Sequence, residues 1–448
     1  MAHIAPFRAL RYNPRKISDL NSVVTPPYDV ISPREQERFH AASPHNMIHL
    51  ELGKALPSDT ESDNPYTRAA RYLREWCREE VLVRDPRPAL YHYELDYEPS
   101  PGQRRTRYGF IGLLRLEEFG CGGVCPHEKT FSRIKGERLR LMQSCHANLS
   151  PVFALYPDAE GTVDALLAQG REREPAIRFQ DPHGMAHRLW RVTDEGLLKR
   201  VAALMEDRVV FIADGHHRYE TALNYRNIRR EHHPQAGPLA PFEYVMVYLS
   251  NLNDEGLTIL PTHRLLRHLD SWGPHAFLDE AETFFRVTPY ETTSSGEDAW
   301  KNALREAGAE NRVSVGFYHR EAERFYLLDA IEERTDDYLA RKGYPQALRR
   351  LQVVVLDQMV LKHLMALPEA FLADEENIHF KHDLADAVES TRSGEYDAAF
   401  LINPTRMDQV ESVARSGLIM PHKSTYFYPK VGSGMVIQPL ESSERVPW

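Results

Sequence analysis

The sequence predicts an α+β protein with mixed sheets and packed helices, and not a doubly wound Rossmann fold. Three observations carry that reading. Short apolar runs of strand type recur along the chain, as at Arg208-Val-Val-Phe-Ile212, at Pro151–Tyr156 and at Phe242–Ser250. Stretches of helical character without Gly or Pro lie among them, as at Tyr219–Arg230. The two kinds of segment do not alternate strictly, which a doubly wound sheet requires.

The elements can be taken in order. Val23–Ile31 contains Pro26 and Pro27, which force an extended backbone and set Tyr28 and Asp29 on a rigid segment. Ser32-Pro33-Arg34-Glu35 reads as a helix start, with Ser32 as cap, Pro33 as first helical residue and Glu35 closing a capping box. Tyr66–Glu80 has helical spacing with Trp76 inward. Ala89–Tyr97 and Arg107–Glu117 read as the two strands of a hairpin around the Pro99–Arg105 turn. Ser132–Gln143 and Leu197–Met205 read as helices. His232–Pro238 is a break. Leu257–Leu260 ends a strand region and leads into the basic pair His263-Arg264. Beyond about Ser271 helices mix with strands at Val313–Tyr318 and Arg324–Leu328. A long helical stretch follows at Pro345–Met365. Ala398–Ile402 is a strand, Met407–Ser416 a helix, and Met435–Ile437 a final strand. The segment Met420–Lys430 is basic, aromatic and bounded by prolines, so it is expected to be packed.

A length of 448 residues exceeds one ordinary core. The reading places a composite α+β domain at 1–265 and a second α+β domain at 266–448. The Lys423-Ser424-Thr425 segment of the second is expected to fold back toward the site in the first. A formal net charge of −10 argues against nucleic acid or an anionic membrane as partner, while leaving room for a local basic pocket. No apolar run approaches the roughly 18 residues of a membrane span. The first ten residues lack a signal-peptide pattern. Four cysteines, Cys77, Cys121, Cys125 and Cys145, suit a reducing compartment, so the expected location is cytoplasmic. Cys121 and Cys125 can be drawn with His127 and Cys145 as a zinc site, but the second ligand pair forms no clean motif, and the metal stays open.

The most informative run is Ala213-Asp214-Gly215-His216-His217-Arg218-Tyr219-Glu220-Thr221-Ala222. It sits where a strand hands over to a helix. There the first backbone N–H groups lack intrahelical partners and the helix dipole is positive, which suits a phosphate. His217 and Arg218 add donors, and Asp214 an acceptor or base. The plainer alternative is a helix cap by Asp214 with His216 to Arg218 solvated. Further phosphate-suited fragments are Lys135 and Arg138, spaced i, i+3 on one helix face, Asn148 and Ser150 before a buried strand, and Lys423 to Thr425. A P-loop, a dinucleotide fingerprint, the hydrolase Gly-x-Ser-x-Gly and the zinc-protease His-Glu-x-x-His are all missing from the sequence.

These fragments, in this order, resemble the bacterial and archaeal family catalogued as domain of unknown function 1015. The matching stretches are Thr25-Pro-Pro-Tyr-Asp29, His127-Glu128-Lys-Thr130 with Lys135 and Arg138, Ala147–Pro151, Ala213–Ala222, Leu260–Arg264 and Met420–Lys430. More distantly, the Pro-containing Tyr-Asp segment and the Asp-Gly-His-His-Arg box resemble the two boxes of ParB/sulfiredoxin-like proteins, a superfamily that includes kinases of free serine. That resemblance implies ParB/sulfiredoxin-like elements in the N-terminal part. It gives Asp214, His216, His217 and Arg218 a role in nucleotide phosphate binding and catalysis. The chain departs from the pattern by the long insertion between its boxes, from about residue 32 to 208. The sulfiredoxin cysteine has no counterpart, which disfavours sulfinic acid repair.

The resulting expectation is a nucleotide-dependent phosphotransferase acting on the hydroxyl of a small metabolite such as free serine. Asp214, His216, His217, Arg218 and Glu128 are the candidate catalytic residues. Asp29, His127, Lys135, Arg138, Asn148, Lys423, Ser424 and Thr425 are the candidate binding residues, with ATP or ADP and Mg²⁺ as cofactors. A small-molecule phosphatase, such as one for phosphoserine, and a non-catalytic nucleotide-binding regulator are the alternatives.

Overall fold

The computed structural model of the chain describes residues 2–448 apart from 122, 129–131, 270–271, 323 and 441–444, and describes 132–135 as backbone only. The fold is α+β, as the patterning predicts. The chain divides into two compact units. One comprises Met1–Pro126, Thr130–Thr258 and Tyr428–Trp448, and the other His127–Lys129 and Ile259–Phe427. Among the described residues no helix is long and apolar enough to cross a membrane.

The first unit is built on a nine-stranded sheet. Its strands run in the order Val124–Cys125, Val210–Asp214, Val152–Tyr156, Tyr244–Asn251, Arg105–Arg115, Leu90–Tyr97, Ala186–Val192 and Ile177–Gln180, with Ile4–Ala5 added to Arg105–Arg115. Val210–Asp214 runs parallel to Val124–Cys125 and antiparallel to Val152–Tyr156, so the sheet is mixed. The expected hairpin is present, with Tyr91 opposite Ile111. Central strands are buried along nearly their whole length, which is why Val152–Tyr156 and Tyr244–Asn251 read as continuous apolar runs and not as alternating ones. One face packs a core that includes Phe110, Ile212, Tyr219 and Val247. A second core gathers Trp76, Leu73, Leu82, Leu141 and Ile437.

Local chemistry sets the helix ends. Ser32 and Glu35 form the expected capping box on the Pro33–Ala42 helix. Asn64 caps the Pro65–Arg78 helix by accepting from the Tyr66 and Thr67 amides at 3.1 Å each. The final strand is shifted: Ile437 makes one bridge to Leu10, and the strand itself is Gln438–Pro439, paired with Ala147–Asn148.

The second unit holds a six-stranded, wholly antiparallel sheet. Its order is Phe285–Glu291, Arg324–Ala330, Ser314–His319, Ala398–Leu401, His263–Leu266 and Ile378–Lys381. Two sequence readings change here. The stretch expected as one long helix is broken into Gln346–Arg349, Gln352–Val354 and a π-helix at Val355–Leu364. Leu351 leaves helical geometry with ψ 122°, and the crowded β-branched run Val353-Val354-Val355 falls at the restart. Arg264, expected after a strand, lies inside one. It is 1 % exposed, 3.4 Å from Asp357, and donates to the Thr262 carbonyl at 2.5 Å, so it serves the core of this unit.

Candidate functional site

The Asp214 box lies at the strand–helix junction that the sequence predicts. The strand ends at Asp214, and the helix runs His216–His232. Just before the junction the ladder slips. Ile212 pairs Ala154, yet Asp214 pairs Phe153, leaving Ala213 as a bulge. A bulge re-aims the side chains around it. Gly215 follows in the left-handed region, φ 87°, as the helix N-cap, and as glycine it offers no side-chain cap. An added Cβ on Gly215 would lie 2.8 Å from Arg218 Nε, so a side chain here would have to displace the Arg218 guanidinium as well as adopt a left-handed backbone.

Asp214 stands one residue before the N-cap position and is engaged by two cations. Its Oδ2 accepts from Arg218 Nη2 at 2.5 Å, and its Oδ1 takes the Lys430 ammonium. Arg218 Nη1 donates to the Pro151 carbonyl. One carboxylate thus carries one cation on each oxygen, and the trio has a net charge of +1 at the helix start. Arg218 is only 9 % exposed. Burial pulls its pKa down, but Asp214, then Asp29, Tyr28 and Glu51, push it up further and hold the guanidinium charged. His216 is buried and His217 half-buried in the first helical turn.

A small cleft lies against Arg218 within the same unit, and it collects several of the expected binding residues. Arg138, Asn148, Ser150 and Arg218 line it, together with Tyr28, Glu51 and Thr221. Arg138 sits 4.1 Å over the Tyr28 ring and donates to the Glu51 carbonyl at 2.9 Å. Burial, set against the charges of Arg138 and Arg218, pushes the Tyr28 hydroxyl up to about 12. Asp29 is exposed on the adjoining turn Tyr28–Val30. The Lys135 side chain lies outside the described residues, as does Thr130.

His127, Glu128, Lys423, Ser424 and Thr425 belong to the second unit. There Glu128 Oε1 accepts from the Ser424 and Thr425 amides at 3.1 and 3.3 Å. His127 is fully buried, with Nε2 2.9 Å from Thr425 Oγ1. Lys423 precedes this turn with φ 56°. The arrangement is a clasp that fixes the Ser424–Thr425 turn, and it occupies both turn amides. None of the four cysteines is in a disulfide, and among the described residues no cluster of three His, Cys, Asp or Glu side chains could hold a metal ion.

Sequence reasoning gave no role to Lys430, Glu51 or Thr221. Lys430 stood in the basic aromatic segment, and only the chain's return into the first unit sets it on Asp214. Arg107, fully buried, helps to place it by donating to the Pro429 carbonyl at 2.7 Å. Thr221 was findable, since it lies three residues past Arg218 on the same helix face. Glu51 left no signal, because a single Glu near a helix end is ordinary.

A family model described as "Protein of unknown function (DUF1015)" matches residues 4–354. No curated protein matches the sequence. Among solved structures, the chain is similar to a conserved hypothetical protein from Pyrococcus furiosus, at 11% identity and TM-score 0.34, over 70% of this chain and 92% of that one. It is similar to one described as "Free serine kinase in complex with AMP", at 12% identity and TM-score 0.32, over 68% and 83%. A third is SbnI with C-terminal truncation from Staphylococcus aureus, at 10% identity and TM-score 0.35, over 75% and 90%. Scores this low do not establish a shared fold.

Proposed function

We infer that this chain, which belongs to the DUF1015 family, is a nucleotide-dependent phosphotransferase acting on the hydroxyl of a small metabolite. The observation that carries the reading is the doubly paired Asp214 at the start of the His216–His232 helix. Phosphoryl transfer requires positioned positive charge more than covalent chemistry. A helix N-terminus supplies directed N–H groups, and Lys430 supplies a cation on the Asp214 carboxylate just before it. Arg218 is tied on two sides, so its proposed role is to hold Asp214 and the junction in place while Lys430 meets the phosphate. The resemblance of the Asp-Gly-His-His-Arg box to that of free-serine kinases supports the same reading, with serine as the first acceptor to test.

ATP or ADP is the proposed donor. Magnesium takes oxygen ligands, often one or two carboxylates plus phosphate oxygens. Both oxygens of Asp214 are engaged by cations, whereas the exposed carboxylate of Asp29 has the chemistry such an ion needs.

A thermal-shift series with ATP, ADP, CTP and inorganic phosphate, each with Mg²⁺, tests the reading. A ligand that binds only the folded chain raises Tm. The expected result is a rise with a nucleotide that disappears in Lys430→Met, followed by transfer of phosphate to a hydroxylated acceptor detected by ³¹P NMR. No rise with any nucleotide overturns the proposal.

A further inference from the structure

We propose that the cleft against Arg218 is a subsite for a polar group without net charge that both donates and accepts hydrogen bonds. Its place in the reaction, as the seat of the acceptor's head, rests on the phosphotransferase reading; the subsite itself does not.

Three side chains point to an occupant. Glu51, Asn148 and Thr221 line the cleft and are 3 %, 4 % and 1 % exposed. Glu51 Oε1, Asn148 Nδ2 and Thr221 Oγ1 have no hydrogen-bond partner among the described residues. A buried polar atom left unpaired is costly, so three around one cleft call for a ligand or water. Their chemistry differs in a useful way. The Asn148 Oδ1 accepts from the Met246 amide at 3.1 Å, which fixes the side-chain amide and leaves Nδ2 as a donor. Glu51 Oε1 is an acceptor, and the Thr221 hydroxyl can act as either. An occupant must therefore offer a donor to Glu51 and an acceptor to Asn148.

Charge decides between a phosphate and a neutral group. The cleft has two cations, and each already faces a carboxylate. Arg138 lies 3.4 Å from Glu51 Oε2, and Arg218 pairs with Asp214. A phosphate would set its negative charge against the carboxylate of Glu51, whose Oε1 has only an acceptor to offer. A hydroxyl, a carboxamide or a zwitterionic ammonium–carboxylate head would not. Size agrees with this. The cleft is about 40 Å³, space for a few water-sized groups, which suits a small polar head. Leu141, Met142 and Val245 form its apolar wall.

The test is ligand-observed NMR on the full chain with four probes: glycerol, acetamide, L-serine and inorganic phosphate. Thr221→Val, Thr221→Ser and Glu51→Gln are the variants, each checked for an unchanged fold by circular dichroism. The expected result is that at least one uncharged or zwitterionic probe binds. Thr221→Val and Glu51→Gln should each weaken that probe tenfold or more, and Thr221→Ser should restore most of the loss. The proposal is overturned if phosphate alone binds in a Thr221-dependent way, if no probe is affected by the variants, or if a crystal structure soaked in the probes holds only waters there. Nucleotide binding is measured in parallel. Its failure with probe binding intact removes the phosphotransferase reading and leaves the subsite; the reverse removes the subsite alone.

Discussion

Asp214 does the work of two residues. It neutralises buried Arg218 and it stations Lys430. Removing one partner of a buried ion pair typically costs about 3–5 kcal/mol, because the other charge stays buried without compensation. Asp214→Ala is therefore expected to lower unfolding free energy by several kcal/mol and to abolish the nucleotide-dependent rise in Tm. Lys430→Met should do the second without the full cost of the first, since Arg218 keeps its partner. Chemical denaturation and the ligand titration, run on both variants, separate the two roles. Two histidines set an acid limit. Burial, aided by Arg171, pulls His92 down to about 3, and burial, aided by His382 and Arg264, does the same to His263. Both are neutral in the folded chain, while the unfolded chain takes up protons near pH 6.5. Their contribution to stability is complete above about 6.5 and is lost as the pH falls from there toward 3. Tm measured from pH 8 to 4 should decline below about 6.5, and His92→Asn should flatten that decline.

At the scale of elements, the junction depends on Gly215. Its backbone is left-handed, and a side chain costs roughly 1–2 kcal/mol in that conformation. The added Cβ also meets Arg218. Gly215→Ala is expected to destabilise the chain by more than the backbone term alone and to weaken nucleotide binding, read by urea denaturation and calorimetry. A cost within the backbone term and unchanged binding would show that Arg218 has freedom to move aside. Much of this level was legible in the sequence. The capping box at Ser32, the hairpin strands and the Asp214 junction follow from spacing that local rules read directly. The π-helix at Val355–Leu364 was not legible, because an apolar helical pattern looks the same whichever ring of hydrogen bonds it closes.

The whole molecule adds a dependence on chain order. The last segment, from Tyr428 onward, belongs to the first unit, where it buries Val436, Ile437 and Leu440 and bridges Leu10 and Thr25. Each such side chain contributes roughly 1.5–3 kcal/mol by burial. A chain ending at Phe427 is expected to lose solubility or to melt well below the full chain, and to lose the nucleotide response together with Lys430. A truncated chain with an unchanged Tm would contradict that account.

The sequence by itself determined the α+β class, the order of most elements, the family and the position of the Asp-Gly-His-His-Arg box. Those are consequences of periodicity, turn residues and a contiguous motif, all of which act over a few residues. Tertiary structure alone decided what Asp214 bonds, that Lys430 completes its ion pair from 216 residues away, and that Glu51, Asn148 and Thr221 meet around one cleft. Such pairings join segments far apart in the chain, and no local propensity encodes which distant side chain arrives. They are set by how the sheet and its helices pack, and packing is a property of the folded chain as a whole.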